Sequence, residues 1–196
     1  MTLTRLIRHG WPLALLCRVR CRFARVRRAD IWATSWSGCD MVYLFQRPET
    51  MPRAMDKGLD LGYEGVDAGT PGAQVQGNPT LLKEMLRNLV ENAVHYTPST
   101  PERQGVVTVR VLVDPYSKAL VMQVEDNGLG IPVAERDLVF QPFYRALGTN
   151  VDGSGLGLPI VKEIAQQHGA TITVDAAHPG QTPPGACFTL RFNAPA

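Results

Sequence analysis

Asn88 and Asn92 stand four residues apart in Asn88-Leu-Val-Glu-Asn92-Ala-Val-His95-Tyr96-Thr-Pro98. On a helix that spacing stacks them on one face, in line with Glu84, and brings His95 and Tyr96 one turn further along. A pair of side-chain amides so placed can serve a hard cation whose other ligands are phosphate and water. Next comes Asp126-Asn-Gly128-Leu-Gly130-Ile131-Pro132, a carboxylate followed by two glycines. An ionised carboxylate only accepts hydrogen bonds, so it favours the exocyclic amine of adenine and repels the carbonyl of guanine. The glycines allow a turn and a close backbone approach. Phe140-Gln-Pro-Phe143-Tyr-Arg145 follows, and then Gly153-Ser154-Gly155-Leu156-Gly157-Leu158. A glycine-rich run that opens a helix offers free amides and a positive dipole end to phosphates. It lacks the Gly-Lys-Ser/Thr of a P-loop and the spacing of a dinucleotide fingerprint. Alone, an Asn on a helix is a solvated position and an Asp-x-Gly-x-Gly is a turn. In this order the four stretches read as one nucleotide site.

The elements that must carry these residues are also legible. Gly58 to Tyr63 alternates as a short strand, 66–72 is a glycine- and proline-punctuated loop, and Ala73 to Gly77 reads as a second short strand. Asn78 caps a helix with Pro79 at its first position. Leu81, Leu82, Met85, Leu86, Leu89, Val90 and Ala93 form its apolar stripe, and Thr97-Pro98 ends it. Residues 105–113 and 119–125 read as a hairpin turning through Asp114-Pro-Tyr-Ser-Lys118, and Val133 to Asp137 as a short helix. A helix is expected from Gly153 to about His168, stopped by Gly169 at a left-handed C-cap. Strands at 171–176 and 187–192 close the sheet. The pattern predicts an α+β fold, a two-layer sandwich with helices on one face of a mixed sheet.

Bulk properties bound the rest. The 196 residues suffice for one full core and an appendage. The net charge of +2 hides an asymmetry: residues 1–50 hold nine arginines and three acids, which leaves −4 for residues 51–196. Two domains are therefore expected, a basic leader at 1–52 and a mildly acidic domain at 53–196. For the leader three readings stay open: an arm for nucleic acid or acidic lipid, a poorly ordered appendage, or a stretch foreign to the domain. The leader has no sustained period, and no nucleic-acid partner is expected. Its longest apolar run, Trp11 to Cys17, falls far short of the roughly twenty residues of a membrane span. Cys17, Cys21, Cys39 and Cys187 match no zinc spacing and suit free thiols in a reducing cytoplasm.

The four stretches resemble the N, G1, F and G2 boxes of the sensor histidine kinases of two-component signalling. Those enzymes share the Bergerat ATP-binding fold with type II topoisomerases, Hsp90 chaperones and mismatch-repair ATPases. The resemblance runs from Met55 to Phe192 and implies a mostly antiparallel mixed sheet, with ATP and Mg²⁺ as ligands. It places Asn92 on Mg²⁺ through phosphates and water, with Asn88 supporting that shell. His95 takes the place of a phosphate-contacting basic residue. Tyr96 falls either beside the adenine or in the core at a helix end. Asp126 reads the base, with Gly128, Gly130 and Ile131 forming its loop. Arg145 either meets the terminal phosphate or is a surface arginine. Gly153, Ser154, Gly155, Leu156, Gly157 and Leu158 lie over the phosphates. Phe140 and Phe143 pack the base of a lid at 149–152 that the γ-phosphate orders.

The resemblance also bears on the reaction. In the hydrolysing relatives a Glu one helical turn before the metal Asn polarises the attacking water, and here Asn88 cannot act as a base. The site therefore suits holding ATP for another nucleophile. The family phosphorylates a histidine within a His-Glu/Asp-x-x-Arg-Thr-Pro-type box, and His9, His95, His168 and His178 all lack that context. Phosphate transfer from Mg-ATP to a histidine-phosphoacceptor domain in trans is the expected activity, with a response regulator beyond it. A non-catalytic ATP-binding module, an ATPase of the same fold and a serine kinase of the anti-sigma kind are the alternatives.

Overall fold

The computed structural model describes residues 50–65, 73–145 and 154–193, with the backbone alone at 20–21 and 51–52. Among the described residues three α-helices and six strands follow in the order β1 (Arg20–Cys21), α1 (Thr50–Asp56), β2 (Asp60–Gly65), α2 (Pro79–Tyr96), β3 (Val106–Val113), β4 (Leu120–Asp126), α3 (Gly157–Gln167), β5 (Ala170–Asp175) and β6 (Cys187–Phe192). The strands form one sheet in the order β1-β2-β3-β4-β6-β5. The β1–β2 and β2–β3 pairs are parallel and the other three antiparallel. A parallel pair needs a crossover, and α2 supplies the one between β2 and β3. The architecture is the expected α+β sandwich with a mixed, mostly antiparallel sheet.

Alternation along the strands sorts the two faces. Val107, Val109, Val124, Val174, Phe188 and Leu190 point from the sheet into the core. From the other side Met85, Leu86, Leu89, Val90, Ala93 and Val94 of α2 meet them, together with Val161, Ile164 and Ala165 of α3. The opposite sheet face is polar. There Arg110 lies between Glu64, at 2.8 Å, and Glu125, and Arg191 reaches Asp114 at 2.8 Å. Half-exposed pairs of this kind contribute little to stability, so the apolar face carries the fold.

Helix α2 starts and stops where its sequence directs. The Asn78 side chain accepts hydrogen bonds from the Thr80 and Leu81 amides at 2.9 and 3.3 Å. At the far end Thr97 donates both its amide (3.1 Å) and its hydroxyl (2.6 Å) to the Ala93 carbonyl. Helix α3 ends at Gly169, whose φ of +63° is the left-handed cap expected there. His168 ties the two helices together, since its Nε2 accepts from the Asn78 amide at 3.1 Å while Nδ1 lies 2.7 Å from the Ile164 carbonyl.

Four expectations need correction. The first strand of the domain begins at Asp60 rather than Gly58, because Gly58 turns with φ +65° and the Leu59 amide still bonds to Ala54 of α1. Residues 73–77 form no strand: Ala73 and Val75 pack against the core without joining a ladder. Val133 to Asp137 is not a helix but a 3-10 turn at Val133–Glu135, followed by another at Leu138–Phe140. Helix α3 opens at Gly157 rather than Gly153, since φ +69° at Gly155 is incompatible with a helix. The loop at 66–72 and the lid at 149–152 lie outside the described residues. Helix α1 spans the expected boundary at residues 52 and 53.

Among the described residues, no helix is long and apolar enough to cross a membrane. Leu89 is fully buried between helix and sheet, and Leu89→Ala should destabilise the domain by about 3 kcal/mol in urea unfolding.

Candidate nucleotide site

The site forms where three element ends converge: the C-terminal half of α2, the end of β4 and the N-terminus of α3. On α2, Asn88 donates from Nδ2 to the Glu84 carbonyl at 2.8 Å and lies 3.3 Å from the Glu84 carboxylate. Its Oδ1 then points at the start of α3: a Cβ added to Gly157 would sit 3.2 Å from it. The same Cβ would lie 3.6 and 3.8 Å from the Asn92 amide atoms. The two asparagines and the first helical residue of the glycine run thus face one another, as the spacing implied. Glu91 turns aside and pairs with Arg87 at 3.6 Å.

Among the described residues, helix α3 has no side-chain N-cap, and its first turn holds no acidic residue. Its leading amides and positive dipole end are therefore offered to an anion. Pro159 falls within the first turn, where a missing N–H breaks no helical bond. Among the described residues, no group of three His, Cys, Asp or Glu side chains could hold a metal. A cation beside the asparagine oxygens would need phosphate or water as its remaining ligands. That donor set fits Mg²⁺, which keeps most of its water and takes few protein ligands.

Asp126 ends β4 with 5% of its surface exposed. Its Oδ1 accepts from the Gly128 amide at 2.8 Å and the Ala186 amide at 3.3 Å. Desolvation dominates its titration and lifts the pKa to about 6; the two amide bonds oppose the rise, Glu125 adds to it and His178 counters it. Asn127 clips the loop to β3, accepting from the Val106 amide at 2.8 Å and donating to the Gln104 carbonyl at 2.9 Å.

Close approach explains both glycines of this loop. A Cβ on Gly128 would come within 2.8 Å of the Tyr96 carbonyl, and one on Gly130 within 2.7 Å of the Gly185 carbonyl. Gly128 thus seats the loop on the end of α2. Tyr96 is 40% exposed and meets the His95 ring edge-on at 5.2 Å, so it is not a core aromatic. Ile131 packs against the core beneath the loop.

Phe140 stacks edge-on against Phe188 at 6.4 Å; the lid whose base it is expected to pack lies outside the described residues. Phe143 departs from that role: it is 72% exposed and holds φ +65°. Its amide donates to the Gly155 carbonyl at 3.0 Å, strapping the aromatic segment to the glycine run. Arg145 is exposed two residues later, as is Ser154, while Leu156 and Leu158 are half-buried. Gly153 lies outside the described residues.

Sequence reasoning missed two contributors. Gly185, with φ +66°, brings its backbone so near Asp126 that a Cβ would fall 2.1 Å from the Asp126 carbonyl. The Pro183-Pro184-Gly185 turn before β6 was the available signal. Lys57 donates from Nζ to the carbonyls of Val94 and His95 at 3.0 and 2.7 Å, and no motif marks it.

Comparison with known proteins agrees with this geometry. The family described as histidine kinase-, DNA gyrase B-, and HSP90-like ATPase matches residues 77–196, more than half of the chain. The chain belongs to this family. Its catalytic ATP-binding domain is of the sensor histidine kinase type. It is 42% identical over 124 residues to the signal transduction histidine-protein kinase/phosphatase MprB of Mycobacterium sp. (strain KMS), an alignment covering 62% of this chain and 23% of that protein. It is 37% identical over 126 residues to the aerobic respiration control sensor protein ArcB of Escherichia coli (strain K12), covering 62% and 15%. The chain thus spans under a quarter of these relatives. The solved mycobacterial sensor histidine kinase MprB superposes with a TM-score of 0.60 at 31% identity, over 79% of this chain and 94% of that one. The catalytic domain of histidine kinase ThkA gives 0.62 at 22% identity, over 79% and 92%, a likeness of fold.

Because Asp126 holds its proton more tightly when folded, the native state binds more protons than the unfolded chain between pH 4 and pH 6. Its contribution to stability is greatest below that window and is lost as pH rises through 6. Asp126→Asn removes the charge and keeps an oxygen for the two amides. The variant should gain about 3 kcal/mol over the parent at pH 7.5 and little at pH 4, read from urea midpoints.

Proposed function

We propose that the domain binds Mg-ATP and passes the γ-phosphate to a histidine supplied by a separate phosphoacceptor domain, and from there to a response regulator. The observation that carries this reading is the convergence of Asn88 and Asn92 on the uncapped start of α3 at Gly157. Mg²⁺, when bound, neutralises charge on the β- and γ-phosphates.

The chain's own residues do the rest. Asp126 accepts the adenine amine with the oxygen not already used by Gly128 and Ala186. The backbone at Gly130 and the exposed Tyr96 ring flank the base, and Ile131 props the loop from below. His95 reaches toward the phosphates. The amides of Gly155, Leu156, Gly157 and Leu158 donate to phosphate oxygens, with Ser154 beside them. Arg145, carried by the strap between Phe143 and Gly155, supplies a donor fork to the transferring group. Catalysis of this type is positioning and charge neutralisation rather than covalent work by the protein.

Asn88 favours transfer over hydrolysis. Its amide is committed to Glu84 and has no basic lone pair with which to activate water. The phosphoacceptor belongs in trans in this reading, since His168 braces two helices and His178 pairs with Glu125 at 3.7 Å.

Calorimetric titration with a non-hydrolysable ATP analogue should show Mg-dependent binding that a GTP analogue does not reproduce. Asn92→Ala should abolish the Mg dependence, and unchanged affinity in that variant would remove Asn92 from the metal shell. Mixed with the dimerisation hairpin of a full-length relative, the chain should place acid-labile phosphate on it; binding without transfer would leave a nucleotide-binding module.

Protonation turns the Asp126 carboxyl from acceptor to donor. ATP affinity should therefore be flat above pH 6 and fall by about tenfold per unit below it. A flat profile down to pH 5 would contradict the base-reading role.

A further inference from the structure

Every helix leaves its last carbonyls without helical partners, and buried ones must find other donors. At the end of α2 the accounting is specific. Ala93 accepts from Thr97, Val94 and His95 accept from Lys57 Nζ, and the Tyr96 carbonyl abuts Gly128. The ammonium also suits the negative end of the helix dipole. Lys57 lies in the turn between α1 and β2, 37 residues before Val94.

That turn is itself fixed to the far side of the same helix end. The Ser99 hydroxyl donates to the Gly58 carbonyl at 3.2 Å and accepts from the Gly105 amide at 3.1 Å, and the Asp60 amide donates to the Gly105 carbonyl at 2.8 Å. Lys57 and Gly58 therefore grip the α2 terminus from two directions. Partial burial, and then the neighbouring Arg53 charge, lower the Lys57 pKa from the ordinary lysine value.

We infer that Lys57 is a positioning residue for the adenine end of the site, holding the α2 terminus at the height where Tyr96 and the Gly128 loop present Asp126 to the base. The assignment rests on the nucleotide reading above. It also makes the α1–β2 turn a point at which movement of the preceding chain reaches the nucleotide. If the ammonium lets go, Val94 and His95 lose their donor and the Tyr96 carbonyl shifts against Gly128. The Asp126 loop moves with it, while the phosphate end at Gly157 stays in place.

The test uses the full 196-residue chain, titrated with Mg-ATP and with Mg-ADP well below the melting midpoint of each variant. There a loss of stability alone leaves the dissociation constant unmoved. Lys57→Met should weaken both nucleotides by about tenfold and equally, because the shared adenine is misplaced. Lys57→Arg should return affinity to within about threefold of the parent, since a guanidinium can still donate to both carbonyls. Lys57→Gln, which keeps a neutral donor, should fall between them and serves if the Met variant does not fold. Parent-like affinity in the Met or Gln variant overturns the proposal. So does a loss confined to ATP, or an Arg variant as weak as Met. Absence of binding by the unsubstituted chain instead overturns the nucleotide reading itself.

Discussion

A carboxylate buried at the end of a central strand constrains everything around it. Desolvation of Asp126 must be offset locally, and the nearest donors are backbone amides at Gly128 and Ala186. Each can reach the carboxylate only if its chain passes within van der Waals distance. The loop after β4 therefore turns back on itself, and the segment before β6 runs against it through Gly185. The offset is incomplete, as the raised pKa records. A group held in that condition gains from a ligand donor, and the proposed base-reading role of Asp126 draws on that.

The start of α3 follows a different logic. There the fold supplies incompleteness of another kind, a helix start with no cap and no acid. The two asparagines of α2 stand opposite it because Gly157 has no side chain to fill the gap. Hydrophobic packing of α2 and α3 over the sheet fixes this juxtaposition, so the polar groups inherit their geometry from apolar contacts. Phe143 adds a strained link, a non-glycine residue at positive φ bonded to Gly155. Such strain persists only where surrounding structure holds it, and it sits beside the site.

The Asp126 end depends on α2 being held at its own terminus. Thr97 and Lys57 donate to its last carbonyls and the Gly128 loop packs against the Tyr96 carbonyl, each from a different part of the chain. The position of α2 and that of the Asp126 loop are in this way linked.

The sequence by itself determined what local chemistry could specify. Asn78-Pro79 and Thr97-Pro98 mark the ends of α2, alternation over 106–113 and 120–126 marks the hairpin, and Asp126 with its glycines marks the loop. Caps, period and turn residues act within a few positions of one another, so they can be read without a fold. Tertiary structure decided the rest. Residues 73–77 alternate like a strand, yet packing placed them outside any ladder. The glycine run looked helical from Gly153, yet the bond between Phe143 and Gly155 held Gly155 in a turn. Lys57 carries no motif and Gly185 only a Pro-Pro-Gly turn signal, because their roles arise from contacts with residues 37 and 59 positions away in the chain. Such contacts exist only once the apolar faces of α2, α3 and the sheet have closed.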